Sequence, residues 1–387
     1  MKIKSIRVIG LGYEKKHPPM PRSFALVRVE TDAGHIGYGE ASTSYGHNYP
    51  FLIKTIVEDL LARVLVGKNP LDIKERVREI RLYLDPWIGW EGVSSTVVAA
   101  IEIALWDILG KEAGLPVSHL LGSSRERIPL YGTGTLYFGD DKNFHGQFFD
   151  SVLRQGFKGV KTRIGNNPKI DILQIDSVRK HIGTDIKLMV DAFWSYSLQS
   201  AIKLAKQMEE FDVYFFEEPL PQYRIKALSR LRSESPVPIA LGERIFTLSG
   251  FSQVIDYQAA DFLQPDATIC GGIAECIDVA ALGKANDLLV IPHIGGLSAV
   301  GIAANLHLAA VIGSPMLEFD SDPYQPMRDE ILLDPVFAVE RIVNGCLLVP
   351  QAPGLGIEID ESKFESFAYK PGKVYPDFFP QFGQGIL

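Results

Sequence analysis

Short apolar runs separated by longer amphipathic stretches set the pattern from Ile128 onward. The runs read IPLYGTG, FKGVKTRI, IKLMVDA, VYFFEEP, PIALGE, DFLQPDA, LVIPHI and PMLEF, and each but the last is followed by a helical pattern such as that from Ser197 to Phe211. Repeated strand–helix units predict a parallel sheet with right-handed crossovers, and eight of them predict a closed (β/α)8 barrel. The first 125 residues have a different texture. Ala25 to Thr31 alternates apolar and polar positions, the period of a half-buried strand, and Asp32 to Glu40 reads as a turn into another strand. Gly12 to Arg22 is rich in proline and charge and predicts a mobile loop. Residues 50–125 read as helical: between Ser95 and Gly110, Val98, Ile101, Leu105 and Ile108 share one face, and Gly114 and Pro116 supply a stop. The predicted organisation is an α+β domain over 1–125, a barrel over 126–329, and a C-terminal segment, 330–387, that packs back on the first domain.

Composition narrows the function. A chain of 387 residues with 46% apolar content can bury a large core. Its formal charge of −8, without any Lys/Arg-rich run, argues against nucleic acid, whose backbone calls for clustered cations. Cys270, Cys276 and Cys346 form no CxxC pair and suggest a reducing compartment. The start, MKIKSIRVIGLGY, has no apolar core of a leader, so a cytoplasmic protein is expected. Leu288 to Leu317 carries no Asp, Glu, Lys or Arg, yet holds Pro292, Pro315, four glycines and two histidines. That reads as buried strand, loop, helix and strand rather than a membrane span.

Chemistry concentrates at the strand ends. From the second strand to the eighth, each apolar run closes on ionisable residues: Lys161 and Arg163, Asp191, Glu217, Glu243, Asp266, His293 and Glu318. In a barrel of this type those ends surround the catalytic mouth. Asp191, Glu217 and Glu243 come from three consecutive strands, and three converging carboxylates repel unless protonated or neutralised by a cation. Oxygen-only ligands suit a hard ion, Mg²⁺ before Mn²⁺. Lys161 and Arg163, two apart, share a strand face opposite that ion. Three carboxylates, a divalent cation and two bases leave one positive charge, which a small carboxylate substrate cancels. Asp266 beside His293 would fix its tautomer and raise its basicity. Glu318, if protonated, could donate to a developing enolate.

These residues resemble a family. LVRVETDAGHIGYGEA and IEIALWDILGKEAGLPVSHLLG, followed in order by VKTR, MVDA, FFEEP, LGE, QPDA, PHI, LEFD and PGLGIEI, resemble the enolase superfamily, specifically its mandelate racemase-like branch, over nearly the whole chain. The resemblance implies an N-terminal capping domain over the barrel, a homo-oligomer, and Mg²⁺ held by Asp191, Glu217 and Glu243. Glu217 is preferred to Glu218 because the family's ligand lies two residues before the proline, here Pro219. It also implies proton abstraction next to a carboxylate that the metal binds. His293 with Asp266 would be the base on one face and Lys161 would help hold the carboxylate. The second lysine of the family's Lys-x-Lys pair is Arg163 here, a poor proton acceptor. Racemisation is therefore disfavoured, and β-elimination of water from a sugar acid to a 2-keto-3-deoxy acid is expected. Phe193, where relatives often carry Asn or His, leaves room for a cycloisomerase or lyase acting on a sugar-acid lactone. Specificity would come from lid loops over Tyr13–Arg22 and Ser42–Tyr49, with Arg22, Tyr45 and His47 as candidate substrate contacts. A non-catalytic barrel would have lost the acids or His293. A metal-dependent hydrolase would need an HxH near the first strand, which IPLYGTG lacks.

Overall fold

The structure is a computed structural model that describes all residues except 17–18, 44–47, 134–141, 166, 323 and 372–387. Three antiparallel strands, β1 (Ile3–Lys16), β2 (Pro19–Thr31) and β3 (Ile36–Glu40), form the first sheet in that order. Ile6, Val8, Ala25, Val27 and Val29 turn from it onto the helices α1 (Ile73–Leu84) and α2 (Val93–Ala113), closing a core separate from the barrel's. The one-face reading of α2 is too narrow, because its residues are buried almost all round. Among the described residues α2 is the one helix long and apolar enough to cross a membrane, and it is the buried centre of this domain.

The predicted barrel strands appear at all eight runs: β4 (Arg127–Thr133), β5 (Gly159–Arg163), β6 (Lys187–Asp191), β7 (Val213–Glu217), β8 (Ile239–Leu241), β9 (Phe262–Leu263), β10 (Leu289–Val290) and β11 (Leu317–Asp320). They pair in parallel in the order β10-β9-β8-β7-β6-β5-β4-β11. The two ends of this path meet through the site itself, where the Ile294 N–H after β10 donates to Glu318 Oε2 of β11 at 3.2 Å. The helices between strands include α3 (Ile273–Ala285) and α4 (Ala299–Ile312). The stretch 288–317 is thus strand, helix and strand.

The barrel interior explains where the site lies. Tyr131, Met189, Phe215, Ala240, Phe262, Ile291 and Met316 form one apolar cluster, one residue from each of seven strands or their immediate approaches. At Gly159 in β5 an added Cβ would meet Met189 and Tyr131 at 2.9 and 3.1 Å, so the eighth place in this plug has no room for a side chain. Side chains alternate along a strand, so the residue two positions on points the same way. Two positions beyond Gly159, Met189, Phe215, Phe262, Ile291 and Met316 stand Lys161, Asp191, Glu217, Gln264, His293 and Glu318. The polar layer is one pleat above the hydrophobic one.

The hairpin corrects one expectation. Gly12 to Arg22 is strand rather than loop as far as the described residues run, with Tyr13 opposite Arg22 and Lys16 opposite Pro19. β3 pairs with β2 only from Leu26 to Glu30, so the Pro19–Pro21 stretch is an edge, where proline's missing N–H is tolerated. The polar residues that read as loop-forming are docking groups. Lys15 is buried against Asp322 at 2.9 Å, and the Tyr13 hydroxyl donates to Gln325 Oε1 at 2.7 Å, tying the hairpin to the segment after β11. The C-terminal segment touches both domains. Strand β12 (Cys346–Leu348) pairs with the start of β4, while Glu361 meets Arg28 and Tyr38 of the first sheet.

Candidate active site

Arg163, Asp191 and Glu217 stand level at the ends of β5, β6 and β7, each in register with the next. Glu243 lies three residues beyond its plug residue Ala240, and Gly242 absorbs the odd residue. Its φ is +151°, and an added Cβ would sit 2.6 Å from the Gln264 backbone, so only glycine lets the chain turn here.

Lys161 Nζ is 2.7 Å from Glu217 Oε1, 2.7 Å from Glu318 Oε1 and 3.6 Å from Asp191 Oδ2, all fully buried. His293 presents Nδ1 to Asp266 Oδ2 at 3.1 Å and Nε2 to Glu243 Oε2 at 3.1 Å, with Glu318 Oε2 at 3.7 Å. The Asp266 contact assigns the proton on Nδ1 and turns Nε2 toward the cluster. Asp266 is itself held by Thr268, through its N–H at 2.9 Å and its hydroxyl at 2.8 Å, and by Asn305 Nδ2 at 3.0 Å. Gln264 Nε2 donates to Glu217 Oε2 at 3.0 Å.

The electrostatics follow from packing acids away from water. Burial pushes the Glu217 carboxyl up to about 8; Lys161 pulls against this, and Asp191, Glu318 and Glu243 add to it. Glu243 goes the other way. Burial would raise it, but Arg244 and His293 beside it hold it well below the usual carboxylate range. Burial alone would depress His293, yet Glu318, Glu243 and the Asp266 hydrogen bond outweigh it and push the imidazole up to about 10. Lys161, pressed by Glu217 and Glu318 against the opposing effect of burial, is held above the ordinary lysine value.

Ligand atoms of Glu217, Glu243 and His293 all lie within 4.8 Å of one another, a spacing able to hold a metal ion. Asp191 is outside that group. Its Oδ2 contacts Arg163 Nη1 and its Oδ1 accepts the Phe193 N–H at 3.0 Å. Glu218 faces another way, accepting from the Trp194 indole and lying 3.5 Å from Arg244 Nη1. Arg22 sits in β2 opposite Tyr13, buried, and not in a loop. Tyr45 and His47 lie outside the described residues. Sequence reasoning passed over Gln264, Arg244 and Asn305, and weighed Glu218 only as the less favoured alternative to Glu217. Gln264 carried a signal, since it is two residues from Asp266 and one pleat above Phe262.

This architecture agrees with that of known proteins. A family model described as "Enolase C-terminal domain-like" matches residues 147–363, and one described as "Mandelate racemase / muconate lactonizing enzyme, N-terminal domain" matches 18–122. The arabinonate dehydratase of Saccharolobus solfataricus is 31% identical, over 95% of this chain and all of that protein. The crystal structure of the 3,6-anhydro-D-galactonate cycloisomerase from Zobellia galactanivorans superposes with a TM-score of 0.86 at 32% identity, covering 96% of this chain and 100% of that one. That of the L-talarate dehydratase from Polaromonas sp. JS666, complexed with Mg and L-glucarate, superposes at 0.81 with 26% identity, covering 95% and 98%. The chain belongs to the mandelate racemase / muconate lactonizing enzyme family of the enolase superfamily, and it is an enzyme.

Proposed function

We propose that this enzyme removes the proton α to the carboxylate of a sugar acid and expels the β-hydroxyl as water, giving a 2-keto-3-deoxy acid. The observation that carries the reading is the asymmetry of the two faces. His293, set by Asp266, would become a proton acceptor on one side once a bound divalent ion offsets the Glu243 charge that helps keep it protonated, and Arg163 on the other cannot be one.

Mg²⁺, or Mn²⁺ in its place, fits the donor set. Glu217 and Glu243 converge beside His293, Asp191 stands in register next to Glu217, and burial with the repulsion of these acids raises the proton affinity of Glu217, an environment that a divalent cation would relieve. Asp191, Glu217 and Glu243 would hold it. When bound, a divalent ion draws electron density from the substrate carboxylate and so acidifies the adjacent C–H. The chain's own groups do the rest. Lys161 meets the substrate carboxylate as a fixed cation. His293 Nε2 takes the α-proton, and the C–H electron pair moves into the carboxylate. The pair then returns to form the C–C double bond as the β C–O bond breaks. The departing hydroxide takes the proton from His293 on the same face, and the enol tautomerises to the 2-keto acid.

A second reading has its own support: Phe193 removes a polar group from the mouth, which favours opening or closing a sugar-acid lactone without a separate acid. Incubating the enzyme with aldonic and aldaric acids and their lactones in Mg²⁺ separates the two. Dehydration yields a 2-keto acid that reacts with semicarbazide. Cycloisomerisation consumes lactone with no change of mass. Turnover should vanish with chelator and return with Mg²⁺, and full activity in excess chelator would overturn both readings.

A further inference from the structure

Around the buried acids stand two cations that the reaction above does not use. Arg163 Nη1 contacts Asp191, and Arg244 Nη1 contacts Glu243 with Glu218 at 3.5 Å. Lys161, Asp191, Glu217, Glu243, His293 and Glu318 are 0–1% exposed at their side chains, whereas Arg163 and Arg244 are 12% and 15% exposed. These two are therefore the members of the cluster that water reaches.

Their support is unusual. Phe193 and Trp194, in consecutive positions after β6, have φ of +46° and +65°. Bulky residues seldom adopt that region, and such backbone persists only where its surroundings enforce it. The turn lays both rings under Arg244, whose guanidinium carbon is 4.3 Å from the Phe193 centroid and 4.2 Å from that of Trp194. Arg163 lies 5.9 Å from the same phenylalanine ring. A guanidinium stacked on aromatic faces keeps favourable contacts that do not depend on a carboxylate.

We propose that Arg163 and Arg244 are resident counter-ions of the metal ligands: they neutralise Asp191 and Glu243 when no divalent ion is bound, and a divalent ion entering the site displaces them from those carboxylates. The inference rests on the assignment of Asp191 and Glu243 as metal ligands. An arginine cannot relieve repulsion by losing its proton, so it must move, and both arginines lie on the exposed side of the cluster. The Phe193–Trp194 shelf keeps Arg244 stacked when Glu243 turns to the ion. Metal binding is then an exchange of cations, and its affinity is set partly by how firmly the arginines hold.

The test is Mn²⁺ titration of the purified full chain by calorimetry and electron paramagnetic resonance, with melting curves in chelator and in saturating Mn²⁺. Arg244→Ala and Arg163→Ala should each bind Mn²⁺ about tenfold more tightly than wild type, equivalent to about 1.4 kcal/mol. Each should melt lower than wild type in chelator and level with it in Mn²⁺. Arg244→Lys, which keeps the charge, should bind Mn²⁺ nearly as wild type does. If Arg244→Ala does not fold in chelator, Arg163→Ala carries the test. Unchanged or weaker Mn²⁺ binding in the alanine variants, or an equal fall in both melting temperatures, overturns the proposal alone. Failure of the wild type to bind Mn²⁺ overturns the metal-site assignment beneath it as well.

Discussion

Arg163 ends β5 against Asp191, and a guanidinium does not accept a proton at any pH a folded protein survives. His293 has the opposite endowment: one ring nitrogen is fixed by Asp266, and the other faces the acids at the mouth. If these two residues divide the faces as argued, His293→Asn should abolish exchange of the substrate's α-proton in deuterium oxide. The expected loss is about a thousandfold, in the range seen when a positioned acid–base group is removed. Arg163→Ala should retain the exchange. Proton NMR of the recovered substrate reads both, and persistent exchange in His293→Asn with loss in Arg163→Ala would reverse the assignment of base. Asp266→Asn should fall between them, because Thr268 and Asn305 still hold the side chain through contacts of 2.8–3.0 Å while the fixed tautomer is lost.

At the scale of the strand, the site is the apolar plug repeated one pleat higher. Met189, Phe215, Ile291 and Met316 are each followed two residues later by an ionisable group, which is why the positions of Asp191, Glu217, His293 and Glu318 were legible in the sequence. Gln264 obeyed the same rule above Phe262 and was passed over because an amide does not stand out as a charge does. Glu243 breaks the rule by one residue, a slip that Gly242 accommodates. Gly242→Ala would force a Cβ to within 2.6 Å of the Gln264 backbone. It should destabilise the fold by about 1–3 kcal/mol and weaken Mg²⁺ binding, measured by melting and by calorimetry. Unaltered Mg²⁺ affinity would mean that the turn does not set Glu243. Other contacts left no trace in the local pattern. Asn305 reaches Asp266 from the middle of α4, 39 positions away, and Lys15 is buried only because the segment after β11 brings Asp322 to it. Proline and charge over 12–22 read as a loop, yet the segment pairs with itself as a hairpin that contacts from the distant Asp322 and Gln325 hold down, and local preference shows neither.

The two domains are joined by carboxylates of the first that cap helices of the second. Glu102 of α2 accepts the Ile273 and Ala274 N–H groups at the start of α3, at 2.9 and 3.0 Å, and Glu40 of β3 accepts from Ser298 and Gly301 at the start of α4. These helices follow the strands that lead to Asp266 and His293, so the first domain grips the barrel next to its proposed base. Burial is the largest influence on both acids and outweighs the hydrogen bonds, pushing each up to about 7 from an ordinary value of 4.5. A carboxyl with a raised value in the folded state binds a proton there that the unfolded chain has released. Its contribution to stability is therefore full below about pH 4.5 and is lost as the pH rises through about 7. His307 acts in the opposite sense, since burial holds it down near 4, so the informative quantity is the difference between variant and wild type. Glu102→Gln and Glu40→Gln should gain stability relative to wild type as the pH is raised from 5 to 8, by up to about 3 kcal/mol each. Denaturant titration across that range measures it. A variant-minus-wild-type difference that stays flat with pH would mean that both acids are already ionised in the folded protein, with the helix N-termini bearing the charge.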